Sequence, residues 1–434
     1  LPLRTDVKNE EYCMKQLNVG FISFRIAGTD GVSLETMKWV EIFNRFNANS
    51  FFLSGELDTP PEVSMEAEEM HFQHPETKKL YEECFDKPRR SESLTAALHK
   101  KRELFKKQIY EFIRRFDIDV LIPQNSLTIP LNVPLGMALT EVIAETGIPT
   151  IAHHHDFFWE RKRFLRNCVW DYINASFPPH LPTIQHVVIN SSAQNQLALR
   201  TGISSTLIPN VMDFETPPDP PDEYTKEVRK DLGVAPDELL ILQPTRVVQR
   251  KGIEHAIELV ARLGKKAKLI ISHASGDEGY EYQQRVKDFA GLLDIDALFV
   301  QEIINEHRGT TAAGKKIYTL EDIYPYADLV TYPSLIEGFG NAFLEAIYFK
   351  KPILVNNYSI YSHDIKPKGF KVIEIDNFIN DEAVEETREL LSDKKKIEEM
   401  TETNYSLALT HYSYRILETK LNDILTTFYG SNFL

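Results

Sequence analysis

Between Glu215 and Glu223 the chain reads ETPPDPPDE, and four prolines in nine residues end whatever structure precedes them. Each proline lacks an amide hydrogen and fixes its own φ, so neither helix nor sheet runs through. On both sides of this break the sequence keeps one rhythm, a short apolar run followed by a stretch at helical spacing. Before it, strands are predicted at 19–24, 51–53, 120–123, 149–153, 187–190 and 206–208, with helices at 34–46, 91–116 and 130–146. After it the rhythm restarts. Strands are predicted at 239–244, 268–272, 298–300, 329–332 and 352–356, with helices at 253–263, 281–292, 320–326 and 341–349. Such alternation predicts the α/β class, with parallel sheets covered by helices on both faces. Two doubly wound, Rossmann-like domains are expected, at 17–214 and 224–405, facing each other across a cleft where ligands usually sit.

Composition narrows the function. With 26% charged and 42% hydrophobic residues the chain reads as soluble and globular, and 434 residues suit two domains. A net charge of −15 argues against a general nucleic-acid binder. Cys13, Cys84 and Cys168 are widely spaced, without a C-x-x-C pair, and read as reduced thiols of a cytoplasmic protein. No apolar run reaches the length of a membrane span, and the first 16 residues lack an apolar signal core.

The segment Pro333–Pro352, PSLIEGFGNAFLEAIYFKKP, carries the most chemistry. It leaves an apolar strand, passes Gly338, Phe339 and Gly340, and enters a helix near Asn341. The glycines permit tight turns and close ligand approach. A helix N-terminus with free N–H groups suits a diphosphate, and a carboxylate beside it suits sugar or ribose hydroxyls. Glu337 in the loop and Glu345 on the helix are the carboxylates. In a bland reading they are a helix-cap acid and a solvent-face acid. A second segment, LLILQPTRVVQRKG (239–252), places Arg246, Arg250 and Lys251 between a strand end and a helix start. Cations there neutralise phosphate oxygens as charge develops on a leaving group, unless the turn is simply solvated.

TRVVQRKG (Thr245–Gly252), LIPNVMD (Leu207–Asp213) and the two glutamates within PSLIEGFG together resemble glycosyltransferase family 4, of the GT-B fold. The likeness spans nearly the whole chain and is strongest over 205–357. It implies a retaining enzyme that moves a hexose from a UDP- or GDP-sugar to an acceptor hydroxyl on a small sugar, hydroxy acid, glycan or lipid-linked glycan. It also implies that terminal helices, here 406–434, cross back to the first domain. By position Arg246 and Lys251 contact the diphosphate, Glu345 the ribose and Glu337 the donor sugar. Metal is not expected, since cations and a helix dipole take its place. The family is thought to react on one face, the leaving phosphate helping to deprotonate the acceptor, so no nucleophile is assigned.

The amino-terminal half matches less tightly. The family's Gly-Gly pair is here Asp30–Gly31. Gly31 still brings its backbone to the donor phosphate, whereas Asp30 either reaches an acceptor hydroxyl or caps the helix. His153, His154, His155 and Asp156 follow a strand at its functional edge. Their consecutive side chains diverge, which disfavours joint ligation of one metal. The resemblance points to His155 as the histidine that reaches the donor sugar, with His154 the runner-up. Asp156 and Arg161, within the aromatic and basic stretch after it, are acceptor-side candidates.

Finally, 99–116 carries seven cations against two glutamates. Phe105, Ile109, Phe112, Ile113 and Phe116 form its apolar stripe. The stripe suits packing on the chain's own sheet; peripheral contact with an acidic inner membrane face is the alternative. A sugar phosphorylase, a sugar–nucleotide epimerase and a catalytically silent sugar-binding scaffold subunit are the rival functions.

Overall fold

The computed structural model describes residues 16–28, 30–273 and 281–430. Its apolar runs pair into two parallel sheets. The first contains β1 (Asn18–Ile22), β2 (Asn49–Ser54), β3 (Ser64–Glu66), β4 (Val120–Pro123), β5 (Thr150–His154), β6 (Ile184–Val188) and β7 (Thr206–Leu207). Their spatial order is β3-β2-β1-β4-β5-β6-β7. The second half contributes β8 (Leu239–Gln243), β9 (Ala267–Ile271) and β10 (Ala297–Phe299), then a short antiparallel hairpin of β11 (Gly309–Thr310) and β12 (Lys316–Ile317). β13 (Leu329–Tyr332), β14 (Ile353–Asn356) and β15 (Ile373–Ile375) complete a six-stranded sheet, ordered β10-β9-β8-β13-β14-β15. Both sheets are doubly wound, as expected. The strands β3 and β15 and the hairpin were not predicted.

In each sheet the chain runs outward from its first strand and then returns to that strand's other side. The reversal falls between β1 and β4 in one sheet, where Val19 pairs with Val120, and between β8 and β13 in the other, where Leu329 pairs with Ile241. Loops leaving the carboxyl ends diverge at such a reversal and open a crevice. The segments 23–28 and 124–132 therefore flank one crevice, and 244–252 and 333–340 the other.

Local chemistry places the helices. Asp30, Ser91, Asn132 and Asn190 each accept backbone N–H bonds at the starts of the helices Gly31–Arg45, Glu92–Phe116, Val133–Thr146 and Ser191–Thr201. Each such cap contributes about 0.5–2 kcal/mol. In the helix Glu92–Phe116, residues Phe105, Ile109, Phe112 and Phe116 are buried in the first half's core. Its cations Lys101, Arg102 and Lys106 pair with Glu76, Glu141 and Glu145. The apolar stripe is therefore core, and cannot be what enters a bilayer. Among the described residues no helix is long and apolar enough to cross a membrane.

The carboxyl-terminal segment differs from the reading in one respect. It forms two helices, Lys394–Tyr412 and Tyr414–Tyr429. The first still packs on the second half, where Ala408 and Tyr412 join its core. The crossing therefore begins at Ser413, which bridges Met212, and not at 406. Beyond it Leu417, Leu421 and Leu425 pack against Trp39, Ile42 and Phe43. Truncating any of these leucines to alanine would cost about 2–5 kcal/mol. Cys84 is buried and Cys168 partly so, and both are free thiols; Cys13 lies outside the described residues.

Candidate active site

Glu337 sits where the two loops of the second crevice meet. Its Oε1 accepts from Lys251 Nζ and its Oε2 from Arg250 Nη1 at 3.3 Å. Gly252 explains how the loops come so close. Its φ is +58°, and a Cβ there would stand 2.6 Å from the Pro333 carbonyl oxygen. Leu335 N–H then donates to the Arg250 carbonyl at 2.8 Å, locking loop to loop. Burial pushes the Glu337 carboxyl up, but the Lys251 and Arg250 charges outweigh it and hold the pKa below its ordinary value. Burial draws the Lys251 ammonium down, against Glu337. Two cations and one carboxylate leave a net positive charge beside the helix Asn341–Tyr348, whose N-terminus adds to it.

Gly340 opens that helix at φ +128°, a region only glycine enters readily, with the Tyr358 hydroxyl 2.7 Å from where a Cβ would stand. Tyr358 donates to the Phe339 carbonyl at 2.7 Å, and the Phe339 ring turns into the core against Tyr412. The expected donor contact of Phe339 is thus not made by its side chain. Glu345 is half-buried one turn into the helix, and Tyr324 donates to its Oε2 at 2.8 Å. Burial raises its pKa. The Arg246 side chain is exposed and makes no hydrogen bond or ion pair with the described residues, while Arg250, expected only as one of three phosphate-neutralising cations, holds Glu337.

The other half meets this loop directly. Asn190 Nδ2 donates to the Gly338 carbonyl at 2.7 Å, and a Cβ on Gly338 would stand 3.5 Å from the His155 carbonyl oxygen. Gly31, at the start of its helix, lies against Asn341 at the start of the other, and Asn210 Nδ2 donates to Asn341 Oδ1 at 2.6 Å. Two helix N-termini therefore converge across the cleft. Asp30 is a helix cap: Oδ1 accepts from Val32 and Ser33 N–H, and Oδ2 from the Ser33 hydroxyl and Arg25.

His155 lies at the carboxyl end of β5, half-buried, its Nε2 3.3 Å from Gln124 Oε1. Burial lowers its pKa to about 4, with Asp156 and Asp30 opposing. His154 points the other way. It is fully buried and its two ring nitrogens bond Thr128 and His186, so the runner-up candidate does not face the cleft. Asp156 accepts from Asn125 Nδ2 at 2.9 Å and pairs with part-exposed Arg161.

Several site residues escaped the sequence reading. Lys38 bonds Glu35 at 3.0 Å and the Val211 carbonyl at 2.6 Å, and its charge acts on both His155 and Glu345. The partner of Lys38 is a backbone atom 173 residues away, which no local pattern reveals. His273, after β9, is drawn down to about 4 by burial and the Arg246 and Lys251 charges. Only its place at a strand's carboxyl end could have flagged it.

Comparisons with known proteins bear on the family and the fold. A family model described as Glycosyl transferases group 1 matches residues 225–407, the stretch that holds Lys251, Glu337 and Glu345. Mannosylglucosylglycerate synthase of Thermotoga maritima is 32% identical, over 94% of this chain and 99% of that protein. The protein of the same name from Petrotoga mobilis is 32% identical, over 83% of this chain and 86% of its own length. Among solved structures, a glycosyltransferase from Rickettsia africae gives a TM-score of 0.69 at 13% identity, covering 96% of this chain and 100% of that one. HepE of Anabaena, solved with UDP and glucose, gives 0.63 at 13% identity, covering 95% and 100%. These structural likenesses speak to the GT-B fold.

Proposed function

We propose a specific reaction for this chain, which belongs to the group 1 glycosyl transferases and is a glycosyltransferase: it moves a mannosyl group from a nucleoside diphosphate to a hydroxyl of a glucosylglycerate-type acceptor. The observation that carries this reading is the 32% identity to mannosylglucosylglycerate synthase of Thermotoga maritima across 99% of that protein. The site chemistry supports it. The diphosphate binds between the converging N-termini at Gly31 and Asn341, with Lys251, Arg250 and exposed Arg246 supplying positive charge. Glu345 holds the ribose. Glu337 faces the donor sugar, where its charge offsets the positive charge that builds as the glycosidic bond breaks.

We place the enzyme within family 4 and assign retention of configuration, with the leaving phosphate taking the acceptor proton. The cations beside the diphosphate make a metal unnecessary. The acceptor carries both hydroxyls and a carboxylate, and it meets two acid–cation pairs, Asp30 with Arg25 and Asp156 with Arg161. Both arginines are part-exposed and keep N–H groups for a carboxylate. The reaction belongs to the cytoplasm, where nucleotide sugars are made.

The test is incubation of the protein with GDP- and UDP-hexoses, glucosylglycerate and its carboxyl-free analogue glucosylglycerol. Transfer from a mannose donor to the acid, with the donor's anomeric configuration kept in the product's NMR spectrum, is expected. No transfer from any mannose donor, or an inverted product, would sink the reading.

A further inference from the structure

Gln124 follows β4 and is fully buried. Its side-chain oxygen lies 2.9 Å from Nδ1 of His153 and 3.3 Å from Nε2 of His155. The two histidines are two residues apart on β5 and its end, so the strand's period places their rings on one side. The rings lie 4.3 Å apart, and His153 is stacked on Trp39 at the same distance. An amide oxygen has no proton to give. With the amide oxygen turned to the two rings, an orientation that leaves Gln124 Nε2 buried without a partner among the described residues, both imidazoles donate to that oxygen, and this sets which nitrogen of each carries hydrogen.

For His153 the consequence is internal, because its Nε2 is buried without a partner among the described residues. For His155 it is external. Its Nε2 bears the proton, and its Nδ1 takes no partner from the described residues and is not shut off by them. The neighbouring Asn125 completes the support. Held at φ +58°, it accepts from His155 N–H at 3.1 Å and donates to Asp156 Oδ1 at 2.9 Å. Gln124 sets the ring while Asn125 sets the backbone that carries it.

We propose that Gln124 is a positioning residue of the transferase: by accepting from His153 and His155 at one oxygen, it fixes His155 as the Nε2–H tautomer and presents an unprotonated Nδ1 to a hydroxyl of the donor sugar. The inference rests on the glycosyl-transfer reading for its sugar, but not for its tautomer. Burial supports it by keeping both rings neutral. The charged groups that act on His155 are Asp156, Asp30 and Lys38, and none is altered by a change at Gln124.

Two variants test it. Gln124→Leu removes the acceptor; Gln124→Glu keeps it and adds a negative charge that favours imidazolium. The first readout is the ring 15N spectrum of histidine-labelled protein, with His155 assigned by the signal lost in His155→Gln. The parent should show a protonated Nε2 and bare Nδ1, and Gln124→Leu a mixture of tautomers. A bare Nε2 in the parent, or an unchanged spectrum in Gln124→Leu, overturns the proposal whatever the reaction is.

The second readout is kinetic. The parent's turnover should be flat between about pH 6 and 8, far above its His155 titration. Gln124→Glu should approach it at the alkaline end and fall as pH drops, because the imidazolium offers no acceptor. Gln124→Leu should lose roughly tenfold or more in kcat at every pH, with nucleoside diphosphate affinity kept. Parent-like kcat and pH profile in both variants would refute a positioning role. If Gln124→Leu does not fold, the near-isosteric Gln124→Glu decides by its pH profile.

Discussion

Lys251 and Glu337 lie 86 residues apart, on loops from two neighbouring strands, and form an ion pair that is almost wholly buried. Arg250 shares the same carboxylate at 3.3 Å. A buried pair of this kind adds little net stability, yet removing one partner strands the other. The arrangement therefore suits a site whose ligand brings its own charge. In the reaction proposed above, an incoming diphosphate would compete with Glu337 for the cations and free the carboxylate to face the sugar.

Lys251→Ala should weaken binding of the donor's nucleoside diphosphate by about 1.5–3 kcal/mol, the scale of a charge-assisted hydrogen bond. Calorimetric titration measures it. Unchanged affinity in the folded variant would move the diphosphate elsewhere. The same substitution takes one of the two cations from Glu337 and leaves Arg250, so its carboxyl pKa should rise. The stability that a lowered carboxyl pKa gives is present above the unfolded value and lost as pH falls through the folded one. Lys251→Ala should therefore lose stability chiefly at neutral pH, and the gap to the parent should narrow in acid.

The contacts between the halves predict a closing motion. Asp364 of the second half accepts from Ser191 N–H at 2.7 Å and from the Ser191 hydroxyl, at the start of a first-half helix. Asp364→Ala removes this latch without touching the donor loops. The donor KM should rise about tenfold, the scale of one charge-assisted hydrogen bond, and small-angle scattering should give a larger particle. An unaltered KM together with an unaltered scattering profile would show that the latch does not govern closure.

Metal independence is open to direct test. In the proposed complex Arg246, Arg250 and Lys251 would neutralise the diphosphate in place of a divalent cation. Transfer should survive exhaustive chelation with EDTA. Complete loss, restored by Mg²⁺ or Mn²⁺, would overturn this assignment.

Much of this architecture was legible because its signals are local. The strand, glycine loop and helix of 329–348 announce themselves in consecutive residues, as does the basic turn before Gly252. Turn side chains are harder: the sequence cannot tell that Arg250, and not Arg246, reaches Glu337, since that depends on how Gly252 packs on Pro333. Strand periodicity did contain the fate of His154. Residues 153 and 155 share one face, so His154 must face the other, toward His186. The helix Ser191–Thr201 was missed because its buried face is little more than Ala193 and Leu197. Lys38 and Glu35, three residues apart on one helix, carry no local sign that the Val211 segment folds over them.

The last prediction separates the two glutamates. Glu345 lies on the helix, held by Tyr324, and should grip the ribose in substrate and transition state alike. Glu345→Gln should therefore raise the donor KM more than it lowers kcat. Its stability should move the opposite way. Burial raises the Glu345 pKa above 4.5, so folding favours the protonated form. A group with a raised folded pKa gives stability fully present below the unfolded value and lost as pH rises through the folded one. At neutral pH the charged Glu345 is thus a cost. Gln, uncharged and still able to accept from Tyr324, should raise the melting temperature there, with the advantage vanishing below about pH 4.5. Glu337 differs on both counts, since its carboxylate is stabilised by Lys251 and Arg250. Glu337→Gln should destabilise at neutral pH, and it should lower kcat by roughly 100-fold, the scale of one preorganised electrostatic contact. Its donor KM should stay near the parent's, because the freed cations still hold the diphosphate. Steady-state kinetics and pH-dependent melting of the two variants decide the matter. Loss of turnover in Glu345→Gln with loss of donor affinity in Glu337→Gln would reverse the roles, and parent-like kinetics in both would remove the glutamates from the site.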